Sequence, residues 1–199
     1  MCAPAGVVAT VRDAVAAGVT AVQLRDPAAA DADLVALGRE IRTVLAGTGV
    51  PLVVNDRVDL VAAIGADGAH VGQSDTDVAA ARAICGPAAF LGLSVQVGAQ
   101  VTIALDAGLH ALDYLGVGPV WGTATKPDHA PPGGIDRLRR IVALSPWPCV
   151  AIGGITAARI RQLRGTGVAG VAVVSAICGQ PDVSAATATL RRLWDANPA

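Results

Sequence analysis

Seven short apolar runs recur along the chain, each nearly continuous rather than alternating, with amphipathic segments between them. They span residues 21–24, 52–54, 68–71, 90–95, 114–120, 149–152 and 171–177. Strands that are apolar at successive positions are buried on both faces, the mark of a parallel sheet covered by helices. The intervening segments carry helical periodicity. The clearest covers 31–46, with Leu34, Leu37, Ile41 and Val44 on one stripe and Asp31 as its expected N-cap. Further helices are expected at 7–18, 76–84, 99–107, 135–144, 156–163 and 182–194. Strand and helix alternate at intervals of roughly 20–25 residues, which favours a TIM (β/α)8-type barrel over an open doubly wound sheet. The glycine signature of a dinucleotide fold is missing: Gly153-Gly154 comes late and lacks the third glycine.

The count is one strand short of eight. Because 7–18 reads as a helix, the first strand is missing or very short, with residues 5–9 as the one stretch that could supply a stub. No composition shift marks a linker, so residues 1–199 are expected to form a single barrel domain. A chain of 199 residues buries roughly 70% of its unfolded surface, enough for a proper core.

Composition removes several classes of function. Hydrophobic residues make up 53% and charged residues 16%, which excludes a disordered chain. A net charge of -1 supplies no basic face for nucleic acid and no polybasic membrane anchor. Aromatics are only 3%, leaving little material for stacking bases. The uncharged stretch 83–105 is long enough to raise a membrane span, but Gly86, Pro87, Gly92, Ser94, Gln96, Gly98 and Gln100 break it. The first residues have neither the basic region nor the apolar run of a signal peptide, so a cytoplasmic enzyme is expected. Cys2, Cys85, Cys149 and Cys178 form no CxxC pair, and Cys149 and Cys178 fall in apolar strand-like runs as small hydrophobes.

In a barrel of this kind the active site lies at the C-terminal strand ends. Those ends carry Gln23 and Arg25, Asn55 and Asp56, Gln73 and Asp75, Ser94, Thr123 to Lys126, Gly153-Gly154, and Val174-Ser175. Asp56 and Asp75 follow consecutive strands and could share one Mg2+ with substrate phosphates; they could equally cap the helices that begin beside them. Arg25 and Lys126 suit anionic oxygens, or pair locally with Asp26 and Asp128. The long loop 121–134 could close over a substrate. Gly153-Gly154 before Thr156 offers backbone amides and a helix N-terminus to a phosphate, or is a plain tight turn. His70, in a strand, reads as structural as readily as catalytic.

Taken together, these segments resemble thiamine phosphate synthase. The resemblance rests on Gln23-Leu24-Arg25, Asn55-Asp56-Arg57-Val58-Asp59-Leu60, the run Gly65 to Asp75, and Gly92-Leu93-Ser94. It continues through Asp113 to Val120 with Thr123-Ala124-Thr125-Lys126, then Ile152-Gly153-Gly154-Ile155 and Gly170 to Ile177. It implies an enzyme joining 4-amino-2-methyl-5-(diphosphooxymethyl)pyrimidine to a thiazole phosphate with release of diphosphate, using Mg2+, as a homodimer. Carried over by position, Asp56 and Asp75 match the metal ligands. Gln23, Arg25, Asn55, Ser94 and Lys126 match the grip on the pyrimidine diphosphate, with Arg25, Ser94 and Lys126 also placed for catalysis. Thr123, Thr125, Gly154, Val174 and Ser175 match contacts to the thiazole phosphate.

Two departures stand out. Family members usually carry lysine where this chain has Pro27, and one lost charge-assisted hydrogen bond costs about 1.5–3 kcal/mol. The other is the missing first strand. Both leave room for a thiazole tautomerase of the TenI type, although that branch lacks the metal carboxylates and has His where Pro119 stands here. They also leave room for a barrel that binds thiazole phosphate without catalysis.

Overall fold

The computed structural model describes residues 6–125 and 130–196. Its strands are β1 (Val22–Leu24), β2 (Leu52–Asn55), β3 (Gly68–Val71), β4 (Phe90–Val95), β5 (Tyr114–Val117), β6 (Cys149–Ile152) and β7 (Gly170–Ala172). They form one seven-stranded sheet in sequential order, and every neighbouring pair is parallel. The helices are α1 (Val7–Ala16), α2 (Asp31–Leu45), α3 (Val61–Ile64), α4 (Val78–Cys85), α5 (Gly98–Asp106), α6 (Gly134–Leu144) and α7 (Val183–Asp195). Short 3-10 turns stand at Val58–Leu60, Leu109–Ala111 and Ile160–Leu163. The architecture is the expected TIM-like one.

The near-continuous apolar runs do what their pattern requires. Leu52, Val54, Ala69, Val71, Leu91, Val95 and Leu115 are fully sealed from solvent, against Leu34, Ile41, Leu138 and Ile141 from the helices. Sheet curvature shows in one proximity: the Gln23 side chain on β1 acts on the Tyr114 hydroxyl on β5, four strands away. α1 packs on both α2 and α7, so the helical layer joins up beside the strand that is missing. Residues 7–9, expected as a possible strand stub, belong instead to α1; the described residues hold seven strands.

Several boundaries differ from expectation, each for a local reason. The run 114–120 stops as strand at Val117, because Gly118-Pro119 follows and proline has no N–H for the ladder. The run 171–177 is strand only to Ala172. Its partner β6 ends opposite at Ile152, and Gly153 and Gly154 then turn away at φ 97° and 63°. Beyond it Ile177 and Cys178 both donate to the Val174 carbonyl at 2.9 and 2.7 Å, so Cys178 lies in a turn. The helix expected at 156–163 reduces to the 3-10 turn Ile160–Leu163, closed off by Gly165 and Gly167 at positive φ. So short a segment tightens rather than paying the cost of nucleating an α-helix. Asp31 is the first residue of α2 rather than its cap, and it forms an ion pair with Arg57.

Candidate active site

Because all the strands run parallel, their C-terminal ends share one face of the sheet, and the expected residues that are described follow those ends. Arg25, Asp26 and Pro27 follow β1, while Asn55 closes β2 ahead of Asp56 and Arg57. These six residues line a cavity of about 140 Å3. Two arginines therefore line one small hollow. Arg25 has no ion pair among the described residues, whereas Arg57 is held by Asp31. Asp26 does not neutralise Arg25; its Oδ1 accepts from the Ala28 N–H at 3.1 Å. Pro27 lies in the wall of this hollow, so the family lysine's place is beside the two arginines.

Asp56 is the one non-glycine residue at positive φ (63°) among the described residues. Its N–H donates to the His70 carbonyl at 2.8 Å, carrying the β2–β3 ladder one step past the strand. Asx residues tolerate this left-handed conformation best, but it still costs energy, and such outliers cluster at functional sites. Asp75, after β3, folds back so that its Oδ2 accepts from the Gly72 N–H at 2.7 Å. It does not cap α4, because Asp77 does that, accepting from Ala79 and Ala80 N–H. The two carboxylates thus sit at the ends of adjacent strands. No cluster of three or more metal-ligating side chains occurs among the described residues. Mg2+ nonetheless fits here, since it is usually bound through one or two carboxylates, with waters and substrate phosphates filling its octahedron.

Across β3, β4 and β5 runs a polar chain of which only His70 is fully buried. His70 Nδ1 is 2.9 Å from Tyr114 Oη, and its Nε2 is 2.8 Å from Ser94 Oγ. Gln73 Nε2 donates to the Ser94 carbonyl at 2.7 Å. His70 is only 7% exposed, and burial holds its pKa down to about 4 despite the opposing pull of Asp75, so the imidazole is neutral. Burial pushes the Tyr114 hydroxyl up to about 12, with the nearby Gln23 side chain working against it. Glycines make the slot: a Cβ on Gly92 would stand 2.5 Å from His70 Nδ1, and one on Gly116 would stand 2.9 Å from Cε1. The sequence marks this chain faintly, as His and Tyr inside strands whose neighbours carry inward glycines. His70 alone did not reveal its partners.

The opposite part of the face carries Gly154, Thr123, Thr125, Val174 and Ser175. Gly154 packs under the loop after β5, where an added Cβ would meet the Gly122 carbonyl at 2.5 Å and Trp121 Cβ at 2.7 Å. Trp121 N–H donates to the Gly153 carbonyl at 3.1 Å. Arg159 donates to the Gly154 carbonyl at 2.8 Å, with its guanidinium 5.5 Å from the Trp121 ring centroid. In the same loop Thr125 N–H donates to Thr123 Oγ1 at 3.2 Å. No α-helix begins at Thr156, so a phosphate near Gly154 would meet turn amides and not a helix dipole. Val174 and Ser175 are exposed in the turn after β7. Lys126, like Asp128 and His129 of the same loop, lies outside the described residues.

The family model for thiamine monophosphate synthase matches residues 1–177. The chain belongs to the thiamine-phosphate synthase family. A thiamine-phosphate synthase from Psychrobacter sp. is 47% identical over 182 residues, covering 92% of this chain and 85% of that protein. The one from Azorhizobium caulinodans is 45% identical over 191 residues, covering 94% and 87%. Among solved structures, thiamine phosphate pyrophosphorylase from Pyrococcus furiosus superposes with a TM-score of 0.88 at 34% identity, over 98% of this chain and 92% of that one. The fold and the family expected from the motifs are thus those found.

Proposed function

We propose that the chain works as a Mg2+-dependent thiamine-phosphate synthase, joining the 4-aminopyrimidine diphosphate to a thiazole phosphate. The observation that carries this reading is the gathering of motif residues of a synthase family on one face: carboxylates and arginines at one part, the neutral Tyr114–His70–Ser94 chain beside them, and Gly154 with the Thr123 loop at the other. Pro119, where a tautomerase of this fold would carry histidine, brings no acid or base.

The reaction breaks the bond between the pyrimidine's methylene carbon and a diphosphate oxygen, whose electron pair leaves with diphosphate. The thiazole nitrogen then gives its lone pair to that carbon. The difficulty is charge: a dense anion departs and a cation is left behind. Arg25 and Arg57 line the hollow where the anion gathers and offer planar donors to its oxygens. Asp56 and Asp75 would hold Mg2+, which when bound neutralises and orients the diphosphate. Asn55, at the edge of the same hollow, has an amide to direct at the diphosphate or the pyrimidine. Gln23 and Ser94 grip the pyrimidine with uncharged groups. Gly154, Thr123, Thr125, Val174 and Ser175 hold the thiazole phosphate, fixing its nitrogen toward the methylene carbon. Lys126 is assigned to the diphosphate by its place in the motif.

The test is a coupling assay with the pyrimidine diphosphate, thiazole phosphate and Mg2+, product being read as its fluorescent thiochrome after oxidation. Product that vanishes with EDTA is expected. Thiazole phosphate binding without product would overturn the reading in favour of a binder. A homodimer, implied by the family resemblance, is checked on the same sample by sedimentation.

A further inference from the structure

Arg159 lies outside every motif that carries the family resemblance, yet its side chain joins two separate segments of the face. It follows the Gly153-Gly154 pair closely, and its N–H donates to the Thr156 carbonyl at 3.0 Å, a turn that lets the side chain fold back on that pair. Nη1 donates to the Gly154 carbonyl at 2.8 Å, while the guanidinium carbon stands 5.5 Å from the ring centroid of Trp121, which opens the loop 121–134. A guanidinium serves both partners at once, because its N–H groups lie in its plane and its charge is spread against the electron-rich ring. Trp121 N–H donates in turn to the Gly153 carbonyl at 3.1 Å. Both carbonyls of the glycine pair are therefore taken up, one by the loop and one by Arg159. What the turn has left to offer is N–H: those of Gly154 and Ile155 donate to no acceptor among the described residues. Unsatisfied amides at a glycine turn suit an anion.

We propose that Arg159 is a positioning residue: by holding Trp121 and the Gly154 carbonyl together, it fixes the spacing between the Thr123–Thr125 segment and the Gly153-Gly154 turn, so that both meet one thiazole phosphate. This rests on the synthase reading, in which Gly154, Thr123 and Thr125 contact that phosphate. Arg159 need not touch the substrate itself. Gly154 is what allows the approach, since a Cβ there would meet Trp121 Cβ at 2.7 Å.

The readout is the separation of the two Michaelis constants, because a merely structural role would lower the active fraction and move kcat alone. Arg159→Ala is expected to raise the KM for thiazole phosphate about tenfold, with the KM for the pyrimidine diphosphate staying within about twofold. Trp121→Leu removes the same contact from the other side. The double variant is therefore expected to lie within about twofold of the poorer single one, not at the product of the two losses. An unchanged KM for thiazole phosphate in Arg159→Ala, an equal rise in both constants, or multiplied losses in the double variant overturns the proposal. Arg159→Gln, which keeps a polar stem but no charge for the ring, decides the matter should Arg159→Ala not fold. Absence of product from the unaltered chain is a different failure, that of the synthase reading. The same variants are then titrated with thiazole phosphate by calorimetry, where a Kd raised about tenfold upholds the role of Arg159. An unchanged Kd, or no binding to the unaltered chain, removes it.

Discussion

At the scale of single residues, the sharpest dependence is on Asp56 and Asp75. Replacing either by alanine is expected to lower Mg2+-dependent turnover by at least about a hundredfold. For Asp56 the backbone complicates the comparison, because alanine at φ 63° is strained in its own right. Asp56→Asn tolerates that conformation while losing the charge, so equal loss in Asn and Ala variants, with thermal melting unchanged in the former, isolates the charge. Pro27 is the other informative position. It lines the hollow shared by Arg25 and Arg57, where a lysine would add a third cation. Pro27→Lys is expected to lower the KM for the pyrimidine diphosphate about tenfold, the worth of one charge-assisted hydrogen bond. An unaltered KM would show that the two guanidiniums already suffice.

At the scale of elements, the inner face of β3, β4 and β5 couples sequence to site. His70, Gly92 and Tyr114 stand in register across three strands, as do Ser94 and Gly116 across two. Large polar side chains alternate with glycines because the rings need the volume that a Cβ would take. Gly92→Ala forces the imidazole or the phenol off its position, and overpacking of this kind costs about 1–3 kcal/mol. A urea titration is expected to show a lowered midpoint with an unchanged slope. Stability equal to that of the unaltered chain would mean that the rings relax without cost.

For the whole molecule, His70 ties stability to pH. Its folded pKa of about 4 lies below the ordinary value of 6.5, so the unfolded chain takes up this proton first as pH falls. Its contribution is complete above pH 6.5, declines through the window from 6.5 to 4, and is gone below it. The full shift is worth about 3 kcal/mol. Asp75 is the charge that opposes it, and the Tyr114 hydroxyl, near 12, stays protonated throughout. Urea midpoints at pH 7 and pH 4.5 are therefore expected to differ less in His70→Gln than in the unaltered chain. Equal differences would place the acid sensitivity in the carboxylates.

The alternation of apolar runs and amphipathic segments determined by itself the parallel α/β order, because burial on both faces of a strand leaves a direct trace in hydropathy. β3, β4 and β6 match their runs end to end, and the motif residues at the strand ends reach one face because parallel strands share a direction. Element ends were less legible. β7 stops where its neighbour β6 turns away, which depends on a strand elsewhere in the chain, while the segment before Gly165 is too short to nucleate an α-helix. Which aspartate caps α4 was likewise settled by folding, since Asp75 and Asp77 are equivalent in type and differ only in the amides they meet. The polar chain from Tyr114 through His70 to Ser94 belongs wholly to the tertiary structure. Its members come from three strands, β3, β4 and β5, and meet only because those strands pair in register. Hydropathy records whether a side chain is buried, but not which distant group satisfies it there.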